Sequence, residues 1–205
     1  MPKMTKSFLE LLNGVDVILA SGSPRRKAFL EELGIPFQVQ THEVDESYPP
    51  TLKGADIARY IVDQKLKPFE AKKSEKQLII AADTVVWKAP YCLGKPKDAK
   101  EALSMLKQLS GATHEVITAV GILYQGRSHV FYESSKVVFK ALSEEMIQHY
   151  IQIAQPFDKA GAYGIQEWIG WVGVERIEGS YTNIVGLPTA ALVDHLTRVL
   201  TLQED

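Results

Sequence analysis

A single cysteine, Cys92, in 205 residues excludes any disulfide within the chain and gives no sign of an oxidising compartment. Cys/His zinc spacing and a dithiol redox motif are both absent. His42, His114, His129, His149 and His195 have neither metal-ligand spacing nor a partnered nucleophile, and read as structural or exposed. Long apolar runs are missing as well, which excludes a membrane span. The apolar stretch within Met1–Asn13 is short and broken by Glu10, so it reads as a small amphipathic helix rather than a signal sequence. Neither sign of charge dominates: Lys+Arg 23 against Asp+Glu 25 leaves −2, which argues against nucleic acid as a partner. No Gly-rich loop ends in Gly-Lys-Ser/Thr, so a Walker-type NTPase is excluded. No Gly-x-Ser-x-Gly elbow supports a serine hydrolase. A soluble, cytoplasmic protein with no membrane partner is the expectation.

What is present is ordinary globular material, 45% hydrophobic and 23% charged, enough for a sizeable core. Strands and helices alternate through the first half, the pattern of an α/β fold. Val17–Ala20 reads as a buried strand, 24–33 as a helix stopped by Gly34, and Phe37–Gln40 as a second strand. A helix from about Gly54 to Lys67 should be closed by Pro68. Leu78–Trp87 is the strongest strand signal, interrupted by Asp83-Thr84. Asp98 with Glu101 opens another helix, and Thr113–Tyr124 with His129–Phe139 form a hairpin around Gln125-Gly126-Arg127. Ser143 caps a helix to about Ile153, Asp158–Gly170 is irregular, Trp171–Ile177 reads as a strand and Pro188–Leu200 as a closing helix. Without repeats or linkers, 1–205 is expected to be one domain, with two lobes and no clean boundary.

The segment Ala20-Ser21-Gly22-Ser23-Pro24-Arg25-Arg26 carries the most chemistry. Ser23 before Pro24 is a helix start, with Ser as N-cap and Pro where a missing N–H costs nothing. Arg25 and Arg26 then fall in the first turn, where the helix dipole favours an anion over a cation. A strand, a small-residue turn, free N–H groups and two guanidinium forks describe a phosphate pocket; a surface helix that happens to begin with arginines is the plain alternative. Lys65 continues the apolar stripe of Ile57 and Ile61, so it either snorkels or meets an anion. Asp83 is a lone carboxylate in a run suited to burial, which calls for a cation, a metal or the backbone bonds of a turn. Lys95 adds a point charge, Glu46 a second hard oxygen ligand, and Gln166 a donor and acceptor suited to a base edge. Cations with one or two carboxylates suit phosphate chemistry assisted by a divalent metal.

These segments resemble the Maf family of nucleotide pyrophosphatases, also called septum formation inhibitor proteins. The resemblance spans about Val17 to Leu200. It rests on the Ser21–Arg26 segment, Val44-Asp45-Glu46, Lys65, Ala82-Asp83-Thr84, Gly94-Lys95-Pro96, Leu109-Ser110-Gly111, Asp158-Lys159-Ala160-Gly161-Ala162-Tyr163-Gly164-Ile165-Gln166 and Val185-Gly186-Leu187-Pro188. It implies an elongated mixed sheet flanked by helices, with two lobes around a central cleft, as in Maf and ITPase-like folds. It also implies hydrolysis of a nucleoside triphosphate to monophosphate and pyrophosphate, a divalent cation (Mg, Mn or Co), and a homodimer. Carried over, Asp83, Glu46 and Lys65 are catalytic, and Asp83 and Glu46 hold the metal. Ser21, Ser23, Arg25, Arg26, Lys65, Thr84, Lys95 and Gln166 bind substrate. The form of the Asp158–Gln166 segment looks like the branch acting on dTTP and UTP. Ala81 and Glu167 both stand where many members have Gly. A pyrophosphatase for modified nucleotides and a non-catalytic nucleotide sensor in septum formation are the alternatives.

Overall fold

The computed structural model describes residues 7–70 and 75–201. Its framework is a seven-stranded mixed sheet. β1 (Asp16–Leu19) pairs in parallel with β2 (Gln38–Val39) on one side and β3 (Gln77–Lys88) on the other. From β3 outward the pairing is antiparallel: β5 (Thr113–Tyr124), β6 (Arg127–Phe139), then β7 (Val174–Glu178), with the short β4 (Tyr91–Leu93) on β3. This is the α/β mixed sheet that the sequence implies.

Burial on both faces explains the near-continuous apolar reading of β1, β3 and β5. Leu19, Leu78, Ile80, Val120 and Ile122 pack beneath Leu30 of α2 (Pro24–Glu32) and Leu192, Leu196 and Leu200 of α8 (Thr189–Thr201). Ile18, Ile79, Ala81, Ile117 and Ala119 face α3 (Ala55–Glu70) through Ile57, Ile61, Val62 and Leu66. Gly121 lets α3 lie close on β5, because a Cβ there would fall 2.6 Å from Val62 Cγ1. At the far end of the long strands, Val86, Val116 and Phe139 pack with α4 (Ala99–Leu109), α5 (Glu144–Ala154) and α6 (Trp168–Gly173). α1 (Phe8–Leu11), capped by Ser7, is the short N-terminal helix expected from the apolar stretch around Glu10; the part of Met1–Asn13 before Ser7 lies outside the described residues.

Four expectations are corrected. β3 runs unbroken through Asp83 and Thr84, because a side-chain partner rather than a turn satisfies the carboxylate. α3 continues past Pro68 by two residues, which buries Phe69; a proline near a helix end sacrifices one backbone bond, less than that burial returns. Ser23 is N-cap by position, yet its side chain makes no cap bond. The strand expected over 171–177 begins only at Val174. Before it, Gly170 and Trp171 donate to the Glu167 carbonyl and close a helical turn, with Gly170 packed so tightly on the Ile165 carbonyl that no side chain would fit. A further short helix, α7 (Tyr181–Val185), lies between β7 and α8. No helix among the described residues is long and apolar enough to cross a membrane.

Candidate active site

β1 stays on β3 only as far as Leu19 opposite Ile80, and β4 joins the same edge at Val86. Between them, residues 81–85 of β3 have no strand on that side among the described residues, and the sheet opens into a cleft of about 480 Å³. It lies beyond the carboxyl end of β1, where parallel strands of α/β proteins typically deliver ligands. Ser21, Ser23, Arg25, Arg26, Glu46, Lys65, Asp83, Thr84, Lys95 and Gln166 all line it, so every site residue read from the sequence is brought together.

The pleat of β3 sorts the chemistry. Asp83 continues the series Ile79, Ala81 towards α3, and Thr84 the series Ile80, Ala82 towards the opposite face. Lys65, one turn beyond Ile61 on α3, places Nζ 2.7 Å from Asp83 Oδ1 and 2.9 Å from Glu46 Oε1. The Ala82 carbonyl lies at 3.5 Å. Thus Lys65 meets an anion, as its position demands, and the anions are the two candidate metal ligands. Partial burial pushes the Glu46 carboxyl up, but the hydrogen bond and charge of Lys65, with Lys95 and Arg26 beyond, outweigh it and hold Glu46 below the usual glutamate range.

On the other face Arg26 is buried. Nε donates to the Gly186 carbonyl at 2.9 Å, Nη1 to Ser21 Oγ at 3.0 Å and Nη2 to Thr84 Oγ1 at 3.1 Å. These acceptors are neutral, and no carboxylate pairs with Arg26 among the described residues. Burial lowers its pKa, against the pull of Asp83. Gly186 reaches Arg26 with φ of 124°, which a side chain would strain. Three of the five guanidinium N–H groups are used, leaving two for an anion. The α2 backbone N–H groups at Arg25 and Arg26, unpaired at the helix start, add to that anion-binding corner. Thr84 holds Arg26 in turn: Thr118 Oγ1 donates to the Asn183 carbonyl, so Thr84 must donate to Thr118 and accept from Arg26.

Several partnerships cannot be read from the sequence, although Asp158 and Lys159 lie in the Asp158–Gln166 motif. Thr118 and the buried Asn183 lie 65 residues apart in the chain, and Asn183 Nδ2 ties the Val116 carbonyl to Ser135 Oγ. Lys159, buried in the cleft wall, pairs with Asp158 at 2.7 Å and Glu167 at 3.1 Å. Asp158 also binds Arg25 at 3.1 Å, so one carboxylate spans two lining cations.

Among the described residues, no group of three or more His, Cys, Asp and Glu side chains is placed to hold a metal. Two adjacent carboxylates, Asp83 and Glu46, still suit a magnesium-like ion, which takes one or two carboxylates and completes its shell with substrate phosphates and water.

The family model described as Maf-like protein matches residues 16–199. A dTTP/UTP pyrophosphatase of Flavobacterium johnsoniae is 44% identical over 191 residues, covering 93% of this chain and 98% of the relative. One of Cytophaga hutchinsonii is 47% identical over 193 residues, covering 94% and 88%. One of Phocaeicola vulgatus is 45% identical over 193 residues, covering 94% and 100%. A solved structure of a nucleoside-triphosphatase (dITP/XTP pyrophosphatase) from Mycobacterium abscessus aligns at 18% identity and a TM-score of 0.44, over 92% of this chain and 97% of that one.

Proposed function

The chain belongs to the Maf-like protein family, and on that premise we propose that it hydrolyses dTTP and UTP to the monophosphate and pyrophosphate, assisted by a divalent metal. The observation that carries this reading is the buried Arg26, with two N–H groups uncommitted and no carboxylate partner among the described residues, on the same cleft as the Lys65–Asp83–Glu46 cluster. A buried guanidinium satisfied only by neutral groups is suited to an anionic ligand.

Arg25, Arg26 and Lys95 neutralise the triphosphate tail and the charge that grows on departing pyrophosphate. Lys65 fixes Asp83 through Oδ1, leaving Oδ2 without a partner among the described residues and able to take a proton from the attacking water. The water oxygen bonds to the α-phosphorus, the α–β bridging bond breaks, and its oxygen leaves with pyrophosphate. Asp83 and Glu46 would hold the metal, which when bound supplies Lewis-acid charge to the phosphate oxygens. Ser21 and Ser23 flank the phosphates, Thr84 keeps Arg26 aimed, and the Gln166 amide meets the base. The same reading takes the protein to be a cytoplasmic homodimer.

The test is to incubate the protein with dTTP, UTP, CTP and ATP in Mg²⁺ or Mn²⁺ and analyse the products. Equal amounts of monophosphate and pyrophosphate, most from dTTP and UTP, are expected. Nucleoside diphosphate with orthophosphate would overturn the assigned bond, and binding without turnover under either metal would make the protein a sensor.

A further inference from the structure

Glu167 stands directly after Gln166, yet it is not among the residues that line the cleft. It is the N-cap residue of α6, yet its side chain makes no cap bond. It turns inward instead. Oε2 accepts from the Tyr150 hydroxyl, and Oε1 lies 3.1 Å from Lys159 Nζ. The Tyr150 ring is fully buried, and its oxygen accepts the Gly164 N–H at 3.0 Å. The Glu167 N–H in turn donates to the Gly164 carbonyl at 3.0 Å. Gln166 therefore sits in a four-residue loop whose first and last members are joined twice, once by backbone and once through Tyr150.

The carboxylate is also packed into this arrangement: a Cβ on Gly164 would lie 2.7 Å from Glu167 Cδ. Beyond the loop, Glu167 gives the buried Lys159 a second carboxylate, so that Asp158 is not its only counter-charge and remains available to Arg25. One side chain outside the cleft thereby joins three parts of its wall: the Gln166 loop, Lys159 and, through Asp158, Arg25.

Resting on the pyrophosphatase reading, we infer that Glu167 is a positioning residue for base selection. It clamps the Gly164–Glu167 loop through Tyr150 and Lys159 so that the Gln166 amide is held in one orientation. Discrimination among pyrimidines depends on where an amide presents its donor and its acceptor, because uracil and cytosine exchange these groups at one edge. A loose loop lets the amide suit either base; a clamped one does not. The chemistry at Asp83 lies on β3 and is separate from this clamp.

The test uses E167Q, which keeps the shape and removes the charge, and Y150F, which removes the hydroxyl that links Glu167 to Gly164. For each, kcat and KM are measured with UTP and CTP, alongside the affinity for a non-hydrolysable dTTP analogue. The expected result is a fall of about tenfold in the UTP-to-CTP ratio of kcat/KM, the size of one lost charge-assisted hydrogen bond. The change should be carried by KM, with kcat for UTP little altered. The double variant should lose no more than the worse single one, since both break the same clamp. Faster amide exchange at Gly164 in E167Q is expected whether or not turnover is measured, and it keeps the idea testable if Y150F folds poorly. An unchanged base ratio and unchanged Gly164 exchange in E167Q, with wild type active, would overturn this inference alone. A wild type that neither binds the analogue nor releases pyrophosphate would overturn the pyrophosphatase reading and this inference with it.

Discussion

Asp83 and Thr84 are consecutive in β3, yet Asp83 reaches Lys65 at 2.7 Å on one face of the sheet while Thr84 receives Arg26 at 3.1 Å on the other. The two-residue period of a strand thus places a carboxylate–lysine pair and a buried guanidinium on opposite faces, separated by a single peptide. Both are reachable from one cleft because, among the described residues, no strand covers that edge of β3.

Asp83→Asn keeps a hydrogen-bond acceptor for Lys65 and removes the carboxylate. Turnover of dTTP should fall by about 100-fold or more, the usual contribution of a placed general base. Circular dichroism should be unchanged. A variant within tenfold of wild type would remove Asp83 from the chemistry.

Arg26→Lys keeps a charge but, with three donors in all, cannot serve three fixed acceptors and still present two more N–H groups. Nucleotide affinity should weaken at least about tenfold, and titration calorimetry with a non-hydrolysable analogue would show it. Equal binding would argue that the guanidinium is purely structural.

Glu46→Gln should raise the Mg²⁺ concentration needed for half-maximal rate, because a neutral amide is a poorer ligand for a hard cation. Chelation with EDTA should abolish activity in wild type, and re-addition should restore it. An identical Mg²⁺ response in wild type and variant would exclude Glu46 from the metal shell.

His114 is buried, with Nε2 2.7 Å from the Tyr163 hydroxyl and Nδ1 without a partner among the described residues. Burial, with the charge of Lys88, lowers its pKa from 6.5 to about 4. Between those values the unfolded chain takes up a proton that the native state refuses, so stability falls as pH drops through that window, by roughly 3 kcal/mol over its full span. Urea unfolding at pH 7 and pH 5 should show this slope in wild type and a flatter one in H114Q. Parallel slopes would contradict it.

Gly121→Ala would drive a methyl into Val62 and Leu66, at 2.6 and 2.7 Å. The overpacking should cost about 1–3 kcal/mol. Because Val62 and Leu66 belong to the helix that carries Lys65, turnover should fall along with the melting temperature. Loss of stability with full activity would mean that α3 recoils without moving Lys65.

Much of the site is legible before folding because its residues violate a local pattern. Lys65 interrupts an apolar helix stripe, Asp83 an apolar strand, and Arg25 and Arg26 sit at the wrong end of a helix dipole. The sheet and most helices follow from period and caps in the same way. Other features depend on contacts that no local period encodes. Asn183 is satisfied by residues 48 to 67 positions away, and Lys159 looks like any loop lysine until Glu167 folds back on it. Pro68 points to a stop that the burial of Phe69 overrides. The segment at Trp171 reads as strand by composition, while the fit of Gly170 against the Ile165 carbonyl turns it into helix.

The gap between the ends of β1 and β4 gives the cleft dimensions that come in whole residues. Its floor is five residues of β3, about 17 Å at ~3.3 Å each, and it is bounded along the sheet edge by the ends of two strands. Adding one paired residue to β1 or β4 would therefore narrow the doorway by a fixed step and cover Ala81 or Val85. Strand length in this architecture is thus a discrete gauge of how wide the opening stands.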